Sequence, residues 1–288
     1  MPFRSRSPLA PVTTTLLAAA LLAAGAAPMH AQDPAPRGGS HTVEGAEIHY
    51  EEHGSGPPLV LLHGFMGCAD TWEPHVARLA EHYRVIVPEL RGHGRSTNPA
   101  GTFTHRQSAR DVLALLDRLG VGRFSALGIS SGGMTLLHAA TSQPERIERM
   151  VLIGATSYFP EQAREIMRGS TSLEAMPPEV LDQFRGCASR GDDQVRELLG
   201  IFHGFRDSVD DMNFTAPYLA RVRAPTLVVH GDRDEFFPVE IPVGMYDAIP
   251  ESYLWIVPNG DHVPIYGRRA EPFVSEVLAF LRGEWDRR

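Results

Sequence analysis

No lysine occurs anywhere in the 288 residues; all 27 basic side chains are arginine, a bias of composition without a functional reading. Acidic residues outnumber them, 35 to 27, for a formal charge of −8. A surface of that sign argues against nucleic acid and anionic membrane as partners. Cysteine is nearly absent as well. Cys68 and Cys187 stand alone, and neither lies in metal-ligand spacing, so neither a metal centre nor a cofactor is expected. In an oxidising compartment the pair permits one disulfide or two buried thiols. With no cysteine framework around them, separate thiols packed as small hydrophobes are the expectation. Internal repeats and low-complexity segments are missing after residue 31.

Extended apolar runs are missing too, except at the N-terminus. Arg4 and Arg6 precede an alanine- and leucine-rich stretch, Val12 to Ala27, and Met29-His30-Ala31 before Gln32 offers a small residue for cleavage. This is the pattern of a signal peptide over residues 1–31, too short and too alanine-rich for a permanent membrane span. No cysteine follows it to carry a lipid anchor. Export to the periplasm or beyond is expected, with residues 32–39 as a flexible leader and no stable membrane insertion after cleavage.

What is present is ample apolar content, 43%, enough for a substantial core. His41–Glu44 and Glu47–Glu52 read as a hairpin turning at Gly45-Ala46. Leu59–Leu62 reads as a strand buried on both faces and Arg84–Val87 as the next buried strand, with further strands at Phe124–Ile129, Met150–Ile153, Thr226–His230 and Tyr253–Val257. Amphipathic stretches alternate with them, among them Thr104–Leu119 and Glu271–Leu281. That alternation predicts a mostly parallel α/β sheet with helices on both faces. Between about Thr156 and Phe214 the rhythm changes to successive helical patterns without a convincing strand. The expected organisation is therefore a core of residues 40–155 and 215–288, with 156–214 inserted as a helical cap.

The chemistry gathers around Gly128-Ile129-Ser130-Ser131-Gly132, which joins an apolar run to a helical one. Gly-x-Ser-x-Gly in that setting is a nucleophile elbow: a turn so tight that neighbouring side chains two residues away would collide. The serine sits at strained φ/ψ, and the next backbone N–H, that of Ser131, aims at the same point. A serine hydroxyl needs a base, and the base needs an acid that fixes its tautomer. Two later loops supply them, Gly231-Asp232-Arg233-Asp234 and Gly260-Asp261-His262, in the order Ser130, Asp234, His262. Ser131 is the rival nucleophile but lacks flanking glycines in phase.

With those motifs, His63-Gly64-Phe65 and Arg91-Gly92-His93-Gly94-Arg95-Ser96, the chain resembles the α/β-hydrolase-fold serine hydrolases of the capped, single-domain, esterase- or lactonase-like kind. The resemblance runs from about Leu59 to Leu281. It implies Ser130, Asp234 and His262 as the triad, with Asp234 favoured over Asp232, which is read as loop-capping. It implies the backbone N–H groups of Phe65 and Ser131 as the oxyanion hole, and His63 as a brace for its loop. Glu89 stands where the family usually has aspartate, and Asp261 is inserted before His262 where Gly-His is common. The expected substrate wall is in the cap and beside the oxyanion loop: Met66, Tyr158, Phe159, Phe202 and Met212, with Met167, Met176, Phe184, Phe205 and Phe214 mostly packing helix on helix. The expected function is cleavage of carboxylic esters or lactones of small, largely apolar substrates through an acyl-enzyme. Alternatives are a cofactor-free C–C bond hydrolase or perhydrolase on the same triad, or a non-catalytic ligand-binding protein. The partner is a small-molecule substrate, and oligomeric state is left open.

Overall fold

The computed structural model describes residues 37–286 apart from residue 171. The signal peptide expected over 1–31 lies outside them, as does most of the leader. The chain opens with a hairpin, β1 (Arg37–Val43) and β2 (Ala46–Gly54). Strand β1 begins inside the stretch expected to be a flexible leader, because Arg37 to Gly39 already pair in register with Glu52 to Tyr50. The turn is Glu44-Gly45 rather than Gly45-Ala46, with φ of 48° and 78°. Two successive left-handed residues give the turn whose twist matches the strands it joins.

Strand β3 (Pro58–Leu62) leads through a 3₁₀ turn at Ala69–Trp72 into α1 (Glu73–Ala80), then β4 (Arg84–Pro88). Helix α2 (His105–Arg118) begins where the Thr104 hydroxyl accepts the Gln107 N–H at 3.0 Å, a cap that satisfies one of the free donors of the first turn. Strand β5 (Phe124–Ile129) runs into α3 (Ser131–Ser142), followed by β6 (Ile147–Ile153). The cap holds α4 (Glu161–Gly169), α5 (Pro178–Cys187) and α6 (Asp192–Gly204). The short α7 (Ala216–Leu219), β7 (Thr226–Gly231), α8 (Glu240–Ala248), β8 (Ser252–Val257) and α9 (Ala270–Leu281) complete the fold.

The eight strands form one sheet in the order β1-β2-β4-β3-β5-β6-β7-β8. The β1–β2 and β2–β4 pairs are antiparallel, and the others parallel. Leu59 to Leu62, Phe124 to Ile129 and Leu227 to Val229 are buried on both faces, which is why these runs read as continuous apolar segments rather than alternating ones. One core lies beneath α2, α3 and α8, and the other around α1 and α9, where Trp72 and Phe273 are buried. After β3 the chain turns to β4 on one side, then crosses back to β5 on the other. The crevice at the carboxyl ends of β3 and β5 is thus a topological switch point, where ligands bind in open α/β sheets.

The cap returns to the core through a lone β-bridge between Tyr158 and Asn213. It is fastened elsewhere by Gln194, a fully buried side chain that donates to the carbonyls of Gly92 at 2.8 Å and Gly94 at 2.9 Å. Cys68 and Cys187 form a disulfide, with Cα atoms 5.3 Å apart. This overturns the expectation of separate thiols. A separation of 119 residues hides the pairing from the sequence; only the fold of the cap over the oxyanion loop brings the two together.

Candidate active site

Ser130 has φ 48° and ψ −113° between the last residue of β5 and the first of α3. That conformation is costly for a residue with a side chain and persists only where the surroundings impose it. They do so here by crowding. A Cβ on Gly128 would lie 2.5 Å from the Gly132 carbonyl carbon, and one on Gly132 would lie 2.3 Å from the Leu62 carbonyl oxygen. The elbow therefore closes only with hydrogen at both positions.

The loops after β7 and β8 meet the elbow. The Ser130 hydroxyl lies 2.9 Å from His262 Nε2, and His262 Nδ1 lies 2.8 Å from Asp234 Oδ2. The other oxygen of Asp234 accepts the Phe236 N–H at 2.8 Å and the Phe237 N–H at 3.1 Å. Asp234, not Asp232, thus caps this loop; Asp232 makes a long 4.0 Å ion pair with Arg233. Burial pushes the Asp234 carboxyl up, but the His262 hydrogen bond and charge, the Phe236 N–H and His230 outweigh it, leaving the group below its ordinary value. An ionised carboxylate at Nδ1 keeps the hydrogen there and turns the Nε2 lone pair toward Ser130. The rings of Phe236 and Phe237 lie 4.8 and 5.3 Å from the imidazole and limit its swing.

One contributor was not legible in the motif. His230, fully buried, donates from Nε2 to the Phe237 carbonyl at 2.9 Å while lying 3.5 Å from Asp234 Oδ2. It pins the turn that carries the acid. Its position at the end of β7, four residues before Asp234, was the available signal.

Phe65, just after β3, and Ser131, just after β5, both line the cavity at the ends of these strands. As the first residue of α3, Ser131 has an N–H with no acceptor within the helix. His63 braces the opposite loop: Nδ1 donates to the Gly64 carbonyl at 2.7 Å, and Nε2 accepts the Leu90 N–H at 3.0 Å. Burial lowers its pKa, consistent with the neutral ring those two bonds require. Glu89, also buried, accepts from the N–H groups of Ala69 and Arg95 and pairs with the Arg95 guanidinium at 2.8 Å. Asp261 is exposed.

Above Ser130 lies a cavity of about 560 Å³. Met66, Phe159 and Phe202 line it as expected, and so do Met167, Phe184 and Phe205 from the cap. Tyr158 and Met212 do not. Tyr158 is 48% exposed at the bridge that roots the cap, while Met212, one residue from the same bridge, is buried in the sheet-side core. The core contributes further lining without a motif of its own, notably Met134, Phe236 and Val263. Among the described residues of the lining, Glu235 and His262 are the only ionisable side chains, and no arginine appears.

A hydroxyl on a strained elbow, an imidazole in hydrogen-bond reach and a buried carboxylate behind it make the constellation that transfers acyl groups through serine. Residues 57–175 match the α/β hydrolase fold family. The chain is 29% identical over 255 residues to the human protein named serine hydrolase BPHL, covering 83% of this chain and 84% of that one. It is 26% identical to 2-hydroxy-6-oxo-6-(2'-aminophenyl)hexa-2,4-dienoic acid hydrolase of Metapseudomonas resinovorans, covering 82% and 88%. Among solved structures it superposes on the enol-lactonase of Burkholderia xenovorans LB400 with a TM-score of 0.71 and 25% identity, covering 85% and 100%. The chain thus has the α/β-hydrolase fold, and its site is arranged as in the serine hydrolases it resembles.

Proposed function

We propose that the protein is an exported hydrolase of carboxylic esters or lactones whose acyl part is small, uncharged and largely apolar. The observation that carries this is the lining of the cavity: methionine and phenylalanine surround Ser130, and no arginine appears among the described lining residues. The relative named for a dienoic acid acts on a substrate that carries a carboxylate. A carboxylate brought into this cavity would be desolvated beside Glu235 without a counter-ion, a cost of several kcal/mol. That favours the ester or lactone over the C–C reading.

In the proposed mechanism the Ser130 oxygen attacks the acyl carbonyl while His262 Nε2 takes its proton. The N–H groups of Phe65 and Ser131 receive the developing oxyanion. Asp234 stabilises the imidazolium, which then protonates the departing alcohol. Water, deprotonated by the same imidazole, releases the acid and restores Ser130. Export is supported by the signal-like segment over residues 1–31 and by the Cys68–Cys187 disulfide, which persists in an oxidising compartment. The test is a panel of p-nitrophenyl esters of increasing acyl length, uncharged lactones and a dienoate C–C substrate. Turnover of short to medium neutral esters or lactones, with little on the dienoate, is expected. Preference for the dienoate would overturn the reading.

A further inference from the structure

The side chain of Ser131 has partners that ester cleavage at Ser130 does not use. Ser131 is 3% exposed, and its hydroxyl lies 3.0 Å from His105 Nε2. His105 Nδ1 lies 2.6 Å from Asp211 Oδ2. His105 is the first residue of α2 and fully buried, whereas Asp211 comes from the far end of the cap insertion. Two adjacent serines thus each carry a histidine and an aspartate in the same order.

The proton inventory of the inner set follows from its neighbours. Asp211 also accepts the backbone N–H of His105 at 2.8 Å and of Arg106 at 3.2 Å, so it sits on the N-terminus of α2, where the helix dipole favours an anion. His138 Nε2 donates to the Asp211 carbonyl at 2.7 Å and lies 3.7 Å from Oδ1. An ionised acceptor at Nδ1 keeps the hydrogen of His105 there. Its Nε2 then presents a lone pair, and the Ser131 hydroxyl donates to it. The hydroxyl is thereby drawn back from the reacting centre, while the N–H of the same residue is the candidate oxyanion donor. His105 also packs against Phe159 and Phe205, two walls of the cavity, with ring centres 6.0 and 5.3 Å away.

We propose that Asp211, His105 and the Ser131 hydroxyl form a positioning relay that fixes the first residue of α3, so that its N–H stays aimed at the oxyanion, and ties that donor to the foot of the cap. The role of the Ser131 N–H rests on the acyl-transfer reading above. Ser131 is not a second nucleophile: it lies within the helix, and its hydroxyl is buried and committed to His105. Burying three polar groups there costs stability that an apolar cluster would not. What they supply in return is an orientation for one residue.

The test is Ser131→Ala, which removes the hydroxyl, leaves the N–H and should not disturb folding. Kinetics on a p-nitrophenyl ester are measured beside the inhibition constant of an alkylboronic acid, which forms a tetrahedral anion on Ser130. Removing an oxyanion donor outright costs roughly 10²–10³-fold, so loosening one is expected to lower kcat roughly tenfold or more. KM should stay within about twofold, as expected when only a transition-state interaction is lost. The boronate should bind more weakly in proportion to kcat/KM. Adding His105→Ala to Ser131→Ala should cost little further kcat, since the groups act as one unit. A Ser131→Ala variant with unchanged kcat and unchanged boronate affinity would overturn the proposal, as would fluorophosphonate labelling of Ser131 in Ser130→Ala protein. Boronate binding needs no substrate. A wild type that binds it but cleaves no ester would therefore sink the substrate reading, while the affinity ratio still decides this one.

Discussion

Ser130 and Ser131 are neighbours with nearly the same partners, and the difference between them is instructive. The outer set spans 2.9 and 2.8 Å, the inner 3.0 and 2.6 Å. By hydrogen-bond geometry alone they are indistinguishable. They differ in backbone and access. Ser130 stands at φ 48° outside the helix, and its histidine side chain is 18% exposed at the floor of the cavity. Ser131 is inside the helix, and its histidine is fully buried. They differ also in origin: the outer histidine and aspartate come from loops after β8 and β7, the inner pair from the start of α2 and the foot of the cap. A relay of hydroxyl, imidazole and carboxylate therefore does not by itself make a nucleophile. The strained turn that lifts the hydroxyl into the crevice does.

The strongest way to break this comparison is to disable each set in turn. Ser130→Ala is expected to lower kcat by about 10⁴–10⁶-fold, with His262→Ala no worse when added to it, because the members act as a unit. Asp234→Asn should cost about 10⁴-fold by stabilising the wrong tautomer. Asp211→Asn should cost only roughly tenfold, since it loosens a donor without removing the base. Turnover of one p-nitrophenyl ester by the purified variants checks all of these. Equal losses from Asp234→Asn and Asp211→Asn would erase the distinction.

The disulfide sharpens the comparison from the side of the cap, because both it and Asp211 fasten the insertion to the core. Closing 119 residues stabilises a chain by up to about 5 kcal/mol in the entropy model. The Cys68→Ala/Cys187→Ala protein should therefore melt well below the wild type under non-reducing conditions. Its kcat on a small ester should remain within a few-fold, because the inner set, Gln194 and the Tyr158–Asn213 bridge still hold the cap. Calorimetry and kinetics on the same preparation check both halves. A loss of kcat as large as that expected of Asp211→Asn would make the disulfide, not the inner set, the anchor that matters.

How far the sequence could be read follows from the range of the forces involved. Strands buried on both faces announce themselves as apolar runs, and the elbow announces itself because Gly128 and Gly132 are sterically required. Ser130, Asp234 and His262, named from loop and order, lie in hydrogen-bond reach of one another. The inner set had no such signature. His105 sits at a helix start and Asp211 106 residues later in the cap, and nothing local couples them. The disulfide was illegible for the same reason. An aromatic at the start of the cap, Tyr158 is the right type in the right place for the cavity wall. Which face of a short bridge it occupies is decided by pairing with Asn213, which the sequence does not display.

The smallest expected effect separates the two carboxylates by acid. Burial pushes the Asp211 carboxyl up, but hydrogen bonds from the His105 ring and backbone, with the Arg106 N–H, outweigh it and hold the group at about 2 against an ordinary 3.8. A carboxyl depressed in the folded state stabilises the fold above its unfolded value and loses that contribution as pH falls through the folded one. The window is therefore from about pH 4 down to about pH 2, and the contribution present above it is about 2 kcal/mol. Wild-type protein should lose thermal stability steadily across that window. Asp211→Asn should start lower at neutral pH, by an amount of that order, and then run closer to flat. Melting curves of the two proteins at matched ionic strength decide it. Parallel acid limbs would mean that Asp211 is not held ionised by α2 and His105, and the proton assignment of the inner set would fall with it.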